Sequence, residues 1–298
     1  MSERLEVLKT YKLYIGGQFP RSESGRSKAV PGPRGPGGEP GATVHISLAS
    51  RKDARDAVAA ARGALEGWSR RTAYNRAQIL YRLAEMIEGR REEFRAAIEA
   101  AGPAPGAAPG PAQEVSAAID RLVAYAGWCD KFGQVLGSAN PVAGPYYNFT
   151  FPEPTGVVAV VAPDERPLLA LVGLMAPALC AGNTVVAVAS EAAPLPACLL
   201  GEVCGVSDVP PGVINVLTGP RAELIPTLAG HREVDGVHAA NLAADQATAL
   251  RQGAAENVKR VAVRSLDDRQ WFDSETAASP WWIERFVEWK TVWHPSGA

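Results

Sequence analysis

The chain contains 298 residues, 47% of them hydrophobic, and carries a formal net charge of −2. This length predicts one large domain or two smaller ones, because domains average roughly 150 residues. Its 29 glycines and 24 prolines stay below the roughly 25–30% share that marks low-complexity chains, so we expect a folded protein. The near-neutral charge gives no electrostatic basis for binding nucleic acid or an anionic membrane surface.

The apolar stretches are too short to span a membrane. The longest, Leu168–Ala181, covers 14 residues and contains Pro177, whereas a spanning helix needs about 20. Met1–Glu6 is acidic where a secretory signal is basic and then apolar, which predicts a cytoplasmic location. The histidines lack the companions of a metal site. The four cysteines form no Cys-x-x-Cys pair and are expected to be buried, reduced thiols: Cys129, Cys180, Cys198 and Cys204.

The N-terminal part predicts short β structure followed by helices. Residues 12–19 alternate around Gly16-Gly17 and indicate a β-hairpin, and a loop rich in glycine and proline covers 31–41. Ser50–Asp53 resembles a capping box at the start of a helix. Helical spacing of apolar residues indicates two more helices, separated by a proline- and glycine-rich linker: residues 73–90 and 113–129, with the linker at 103–111.

Strands alternate with helices from Val157 onwards. Val157–Ala162 is a continuous apolar run, typical of a strand buried on both faces of a parallel sheet. Alternation of this kind predicts right-handed crossovers and an α/β fold with a Rossmann-like, doubly wound parallel sheet. Four further strands are predicted, with helices between them: Thr184–Val188, Val213–Leu217, Gly236–Ala239 and Arg260–Val263.

The turns of this sheet lack the chemistry of a nucleotide site. Such sheets bind ligands at the carboxyl ends of their strands, where glycines let a pyrophosphate approach the backbone. Pro163–Pro167 and Ala239–Ala243 contain no glycine, and no GxGxxG or P-loop motif occurs. Asp164 and Glu165 could form an acid–base pair, but we favour a solvated loop with a local ion pair to Arg166.

Five separated segments carry a family resemblance: Tyr14–Gly17, the Trp68–Arg76 region, Glu153–Val158, Ala176–Val186 and Pro211–Gly219. In this order they resemble motifs of the aldehyde dehydrogenase superfamily. The resemblance covers about residues 12–266 and resumes at 286–293, which is similar to the last strand of that family. It implies four parts: an N-terminal hairpin and helices (1–140), a small oligomerisation arm (141–153), a cofactor-type domain (154–266) and a C-terminal segment with the closing strand (267–298).

The resemblance also implies where the chemistry should be. That family oxidises aldehydes with NAD(P) through a nucleophilic cysteine, an oxyanion-stabilising asparagine and a glutamate base. Here the asparagine position holds Glu165 and the base position holds Arg264. Val188 replaces a ribose-binding lysine, whereas Glu191 matches and, with Gly219, is a residual cofactor-binding candidate. The resemblance therefore implies no catalytic residue and at most weak NAD(P) binding.

Only 32 residues follow Leu266, where the family places its catalytic domain and nucleophile, and no cysteine lies beyond Cys204. We expect a degenerate member that lacks the catalytic domain and has a structural or regulatory role in complex with a full-length aldehyde dehydrogenase. One alternative is an NAD(P)-dependent aldehyde oxidoreductase that uses residual or partner-supplied residues. A second alternative is a nucleotide-binding regulator without chemistry.

Five of the seven tryptophans lie in the last 28 residues, and exposed aromatic patches mark interfaces. In the family the arm and the closing strand pair with a neighbouring subunit, so we expect contact with a full-length aldehyde dehydrogenase or with a second copy of this chain. Alternatively, the tryptophans fold back over the sheet edge. The predicted interface residues are Tyr146, Tyr147, Phe149, Phe151, Trp281, Trp282, Trp289 and Trp293.

Overall fold

The computed structural model describes residues 7–33, 35, 41–102 and 109–297. Two predicted features lie outside these residues: the N-terminal segment 1–6 and most of the loops at 31–41 and 103–111. The strands are β1 (Thr10–Tyr11), β2 (Ser27–Pro31), β3 (Thr43–Ser47), β4 (Ser138–Asn140), β5 (Tyr146–Pro154), β6 (Val157–Val161), β7 (Thr184–Val188), β8 (Ile214–Leu217), β9 (Gly236–Ala240), β10 (Arg260–Arg264) and β11 (Val287–Pro295). The helices are α1 (Arg51–Ser69), α2 (Ala73–Gly89), α3 (Arg91–Ala100), α4 (Pro111–Trp128), α5 (Phe132–Leu136), α6 (Leu169–Cys180), α7 (Leu195–Val206), α8 (Arg221–Gly230), α9 (Ala244–Ala255), α10 (Asp268–Phe272), α11 (Ser274–Ala277) and α12 (Trp281–Glu284).

The predicted doubly wound sheet is confirmed. Five parallel strands lie in the order β10-β9-β6-β7-β8, and all residues of the central strand β6 are buried. Val158 lies opposite Val185 on one side and Gly236 on the other. The chain moves from β6 to one edge and then returns past β6 to the other, so the strand order reverses between β6 and β9, where such sheets bind ligands.

Side chains of alternate residues pack on opposite faces of the sheet, because successive residues of a strand point in opposite directions. Val158 and Val160 belong to one apolar core, together with α2, α4, α6 and α7. Val157 and Val161 belong to a second core, formed with α1, α8 and α9. The continuous apolar run that predicted β6 therefore reflects a strand with helices on both sides.

The predicted hairpin at 12–19 is present, with Gly16 and Gly17 at its turn. Ile15 and Gln18 exchange two backbone hydrogen bonds of 3.0 and 2.9 Å, and Gly16 and Gly17 adopt φ angles of +60° and +78°, which glycine tolerates best. The hairpin continues to Leu13, whose N–H donates to the Pro20 carbonyl at 3.1 Å, and Tyr14 pairs with Val216 at the edge of the large sheet. A separate sheet, β1-β3-β2, was not predicted, because β1 has only two residues and β2 ends at a proline.

The predicted N-terminal helices are present. α1 begins with a complete capping box, in which Ser50 accepts the Asp53 N–H and Asp53 accepts the Ser50 N–H. The second predicted helix ends at Gly89, and Arg90 alone separates it from the unpredicted helix α3. The predicted helix over 113–129 is α4, which begins at Pro111, a favoured first position for proline. Helices α2 and α4 lie with α6 on one face of the large sheet, whereas α1 packs on the opposite face.

The arm and the closing strand form a sheet of their own. Its order is β11-β5-β4, all antiparallel. The closing strand predicted at 286–293 is observed as β11, and its nine residues pair with β5 from Val287–Pro154 to Pro295–Tyr146. β4 precedes the predicted arm and pairs with it at Asn140 and Asn148. The arm strand is thus paired inside the chain, whereas the outer side of β11 is an unpaired edge in the described residues.

The segment after β10 covers the end of the large sheet. Helices α10–α12 bring Trp271, Trp282, Ile283 and Phe286 into the interior. The carbonyl of Phe286 accepts a 2.9 Å hydrogen bond from Asn183. The alternative prediction, that tryptophans fold back over the sheet, is therefore correct for two of the five tryptophans in this segment, Trp271 and Trp282.

Candidate functional site

Asp164 follows β6 at the carboxyl edge of the sheet, where a ligand is expected. Its carboxylate accepts hydrogen bonds from Ser190 Oγ at 2.8 Å and from the N–H groups of Glu191 and Ala192 at 2.9 and 3.1 Å. It also pairs with the guanidinium of Arg221 at 2.7 Å. Burial opposes its ionisation, but the Ala192 N–H and the Arg221 charge outweigh burial and lower its pKa. Asp164 therefore has a structural role: it connects the end of β6 to the turn after β7 and to the start of α8.

Glu165 and Arg166, the next two residues, have opposite environments. Glu165 is exposed, whereas Arg166 is 4% exposed and adopts a φ of +52°. Arg166 forms two hydrogen bonds of 2.8 and 2.9 Å to Asp268 and lies 4.0 Å from Glu114. The predicted local ion pair with its neighbours is therefore wrong, since Asp164 pairs with Arg221 and Arg166 pairs with Asp268. A carboxylate at Glu165 has no hydrogen to donate to an oxyanion.

Glu191 and Gly219, the two cofactor candidates, are brought together. They line a cavity of about 90 Å³ at the ends of β7 and β8. The Glu191 carboxylate accepts the N–H of Arg221, which satisfies one backbone group at the start of α8. A Cβ on Gly219 would lie 3.1 Å from the Ala49 nitrogen, so packing against Ala49 accounts for this glycine. The lining residues are Lys28, Ile46, Leu48, Ser190, Glu191, Pro194, Gly219 and Pro220.

These residues do not fit NAD(P) held as the resemblance implies. Ligand pockets measure roughly 300–1,000 Å³, several times this cavity. The position at which the resemblance implies a ribose-binding lysine is occupied by Val188. The side chain of Val188 is buried and has no hydrogen-bond donor. In the turn after β9, both polar atoms of the Asn241 side chain are bonded to the backbone of Leu266 at 2.9 Å. Glu191 and Asn241, at the positions that the resemblance assigns to the ribose and the pyrophosphate, are thus hydrogen-bonded to the backbone of the chain itself.

Arg264, which the resemblance aligns with the glutamate base of the family, is also held by internal contacts. Its Nε donates to His238 Nε2 at 2.7 Å, and its guanidinium lies 3.6 Å from the centre of the Trp282 ring. Burial lowers the pKa of Arg264 to about 10, so it remains a cation near neutral pH and is no base. The buried His238 was missed as a site residue, although a histidine inside the apolar strand β9 is a readable signal. Its Nδ1 hydrogen bonds to the Leu174 carbonyl at 2.8 Å.

The four thiols are buried and free, as predicted. Burial raises the pKa of Cys198 and of Cys204 to about 12, and it also raises that of Cys180. A nucleophilic cysteine reacts as a thiolate in a partly exposed, electropositive setting. The four thiols of this chain are buried instead. The site therefore has no thiol that is activated as a nucleophile.

Most of the predicted interface aromatics lie on the β11-β5-β4 sheet. Tyr147, Phe149 and Phe151 form a row on one face, with ring centres 5.2 and 6.0 Å apart, and Tyr146 contacts Trp293 on the other face. The prediction that Trp282 is an interface residue is wrong, because it is 5% exposed and packs on His238 and Trp271. The exposed members are Tyr146, Tyr147, Trp281, Trp289 and Trp293, and Phe149 and Phe151 are half-buried.

Residues 7–33, 35, 41–102 and 109–297 contain neither a metal-binding cluster nor a membrane-spanning helix. No group of three or more His, Cys, Asp or Glu side chains there is placed to hold a metal ion. No helix within those ranges combines the length and the apolar character needed to cross a bilayer.

Comparison with known proteins relates this geometry to one family. Residues 37–264 match the model of the aldehyde dehydrogenase family. The putative aldehyde dehydrogenase DhaS of Bacillus subtilis is 33% identical over 265 residues, which are 88% of this chain and 52% of that protein. Cytosolic 10-formyltetrahydrofolate dehydrogenase of Mus musculus is 32% identical over 267 residues, 88% of this chain and 29% of that protein.

Solved structures give the same relation. The NAD⁺ complex of an aldehyde dehydrogenase from Bacillus cereus superposes with a TM-score of 0.76 at 27% identity, covering 86% of this chain and 51% of that one. PnpE from Pseudomonas sp. WBC-3 superposes with a TM-score of 0.76 at 29% identity, covering 86% and 50%. The chain therefore spans about half the length of these solved structures and of the B. subtilis relative.

Proposed function

The chain belongs to the aldehyde dehydrogenase family, and on that premise we propose that it is a catalytically inactive subunit with a structural or regulatory role in complex with a complete aldehyde dehydrogenase. One observation carries the proposal. The carboxyl edge of its sheet, where the fold binds ligands, is occupied by the chain's own contacts among Asp164, Glu191 and Arg221. A dinucleotide would have to break these contacts to bind in that place.

The remaining catalytic positions support inactivity. Acyl transfer needs a thiolate nucleophile and donors aimed at the developing oxyanion. Glu165 presents an exposed carboxylate at the donor position, which would repel that charge. Arg264 is a cation bonded to His238, and the thiols are buried. No single substitution supplies these missing groups, because nucleophile, base and oxyanion donor act as a unit.

The β11-β5-β4 sheet supports the partner role. A small antiparallel sheet needs a covered apolar face to be stable in water. Here Tyr147 and Phe149 lie on one face and Tyr146 and Trp293 on the other, and most of these side chains are exposed. The open edge of β11 also offers backbone groups for pairing with another strand. A complete aldehyde dehydrogenase, or a second copy of the chain, would cover these surfaces.

Co-purification tests the proposed complex. The chain is co-expressed with a full-length aldehyde dehydrogenase from the same organism, and complex formation is measured by affinity capture and light scattering. A variant with Tyr147→Glu and Trp293→Glu places one charge on each face of the sheet and should lose the complex. Tyr74→Glu, at an exposed tyrosine of helix α2, is the matched control and should retain it. A monomeric wild-type chain that ignores the dehydrogenase, or a complex that tolerates the double variant, would contradict the proposal.

Binding and activity assays separate the alternatives. Calorimetric titration with NAD⁺ should give no heat of binding; a low-micromolar dissociation constant would instead favour a nucleotide-binding regulator. Aldehyde oxidation by the purified chain, alone and with the dehydrogenase, tests the oxidoreductase alternative. Turnover by the isolated chain that depends on one of its own cysteines would overturn the inactive assignment.

A further inference from the structure

Strand β11 is the outer strand of the small sheet, and the hydrogen bonds at its two ends show which of its residues bond β5. Just before β11, the Phe286 carbonyl accepts the Thr155 N–H at 3.3 Å, and just after it the Ser296 N–H donates to the Pro145 carbonyl at 2.9 Å. In an antiparallel pair, residues that bond the neighbouring strand alternate with residues whose N–H and C=O point away from it. The even-numbered residues of β11 therefore bond β5, and the odd-numbered residues direct their backbone groups outward.

The prolines of the sheet agree with this assignment. Pro152 and Pro154 of β5 lie opposite odd-numbered residues of β11, where β11 needs no N–H from β5. Proline has no N–H to donate and is confined to such positions of a strand. The outer edge of β11 thus presents the N–H and C=O groups of Trp289, Thr291 and Trp293, and the side chains of these three residues are exposed.

This edge is suited to pairing with another strand. A row of unpaired backbone donors and acceptors is a template for strand addition, and bulges or covering elements normally block it. Here the register with β5 is continuous over nine residues without a bulge, and no strand among the described residues pairs with the outer side. The exposed side chains of Trp289 and Trp293 flank the centre of the strand on one face.

A second copy of β11 matches the edge in one register. Outward-directed residues have to meet outward-directed residues, so two antiparallel copies pair only with odd-numbered residues opposite odd-numbered ones. A two-fold axis at Thr291 meets this condition and overlaps the nine residues of both strands. Trp289 of each copy then lies opposite Trp293 of the other, and aromatic cross-strand pairs stabilise a sheet.

Slipped registers are less favourable. A slip of two residues in one direction places Lys290 opposite Lys290 of the second copy, and like charges directly opposite each other destabilise a sheet. A slip of two residues in the other direction places Lys290 opposite His294, and in both slipped registers the tryptophans no longer oppose each other. The register centred on Thr291 instead places Glu288 opposite His294 and Lys290 opposite Val292, so it opposes no like charges.

We propose that two copies of this chain associate through β11, antiparallel about a two-fold axis at Thr291, and form a continuous sheet of six strands, three from each copy. This inference rests on the proposed use of the β11-β5-β4 sheet as a subunit interface and names a second copy as the occupant of its edge. An isologous contact uses each edge once and therefore closes at a dimer. The row of Tyr147 and Phe149 on the opposite face from the tryptophans stays available to the dehydrogenase.

The oligomeric state of the purified chain, measured without a dehydrogenase, tests the pairing. Light scattering and sedimentation over a range of concentrations should show a dimer. Thr291→Lys places two lysines opposite each other at the axis and should raise the dimer dissociation constant by about tenfold or more. Thr248→Lys, at an exposed threonine of helix α9, is the matched control and should leave it unchanged. A monomeric wild-type chain, or a Thr291→Lys dimer as tight as wild type, would overturn the proposal.

Cross-linking determines the register in a folded chain. Opposed Cα atoms of a hydrogen-bonded antiparallel pair lie about 5.5 Å apart, within the span of a disulfide. Thr291→Cys should therefore give a covalent dimer on a non-reducing gel after treatment with oxidised glutathione. Lys290→Cys, which lies opposite Val292 instead of its own copy, should not. The native cysteines are buried and are not expected to compete, and cross-linking at Lys290→Cys, or at neither position, would overturn the proposed register.

Capture experiments on the same samples separate this inference from the proposed function. A β11 dimer that fails to capture the dehydrogenase supports the pairing and contradicts the heteromeric role. Capture of the dehydrogenase by a monomeric chain, lost in Thr291→Lys, contradicts the pairing and assigns the β11 edge to the dehydrogenase.

Discussion

At the residue scale, Arg166 shows how one side chain connects distant parts of the chain. It is buried, donates to the Pro109 carbonyl at 2.6 Å and pairs with Asp268 on α10. Nearby, Glu114 accepts the Leu168 N–H at 2.9 Å and so caps the start of α6 from another helix. The loop before α4, the turn after β6 and the C-terminal segment are held together at this point.

Asp268→Asn should lower the free energy of unfolding by about 1–3 kcal/mol. Removing one partner of a buried ion pair costs roughly 3–5 kcal/mol, but Asp268 is 43% exposed, so water offsets part of the loss. Urea denaturation measures the change. Asp208→Asn, at an exposed aspartate, is the control and should have almost no effect. Equal stabilities of the two variants would show that Arg166 does not need this partner.

The same pair predicts a pH dependence. The hydrogen bond from Arg166 lowers the pKa of Asp268 below its usual 3.8. A carboxyl group whose pKa is lower in the folded protein stabilises it above the unfolded pKa and loses that contribution as pH falls through the folded pKa. The difference in stability between wild type and Asp268→Asn should stay constant above about pH 5 and shrink below about pH 4. Unfolding measured from pH 7 to 3 checks this, and a difference at pH 3 as large as that at pH 7 would contradict it.

At the element scale, helix α1 depends on its first turn. Ser50 Oγ accepts the N–H groups of Lys52 and Asp53 at 3.2 and 3.3 Å. Ser50→Ala should cost about 1 kcal/mol, the usual cost of losing an N-terminal cap. Chemical denaturation measures it, with Ser69→Ala near the exposed end of the same helix as the control. A cost no greater than that of the control would indicate that Asp53 alone caps the helix.

The start of β11 and its exposed part should respond differently to truncation. Phe286, just before β11, is fully buried and packs against Gly236 of β9. Phe286→Ala should cost about 3–5 kcal/mol, whereas Trp289→Ala, at a side chain 41% exposed, should stay within about 0.5 kcal/mol. Equilibrium unfolding compares the two. Truncation of the chain at Ala278 would remove β11 but also the buried Phe286, and so would destabilise the fold. Point variants on β11 are therefore a more specific test of the proposed interface.

At the scale of the whole molecule, the proposed inactivity should not be reversed by a single substitution. Glu165→Asn would place an amide donor at the end of β6, but the four thiols are buried and Arg264 lies at the position that the resemblance assigns to the base. NAD(P)⁺ reduction in the presence of aldehydes should stay at the uncatalysed rate for wild type and variant alike. A complete aldehyde dehydrogenase in the same assay is the positive control, and turnover by Glu165→Asn would mean that a nucleophile lies elsewhere.

The sequence by itself determined the strands of the large sheet and the long N-terminal helices α1, α2 and α4. Apolar runs such as Val157–Val161 and the helical spacing in α1, α2 and α4 are local patterns, and each produced the predicted strand or helix. The family resemblance also placed the closing strand β11. The resemblance also aligned Glu165 and Arg264 with two catalytic positions of the family, and the prediction that a carboxylate or a guanidinium does not take the role of the expected group rests on that alignment.

Only the tertiary structure decided which residues meet. Arg166 pairs with Asp268, 102 positions away, and Asp164 with Arg221, 57 positions away, so nearest-neighbour reasoning about ion pairs failed. Trp281 and Trp282 are adjacent, yet one is exposed and the other buried, because α12 packs one face on the interior. Side-chain burial and charge pairing depend on contacts across the fold, whereas strand and helix formation depends first on periodicity along the chain.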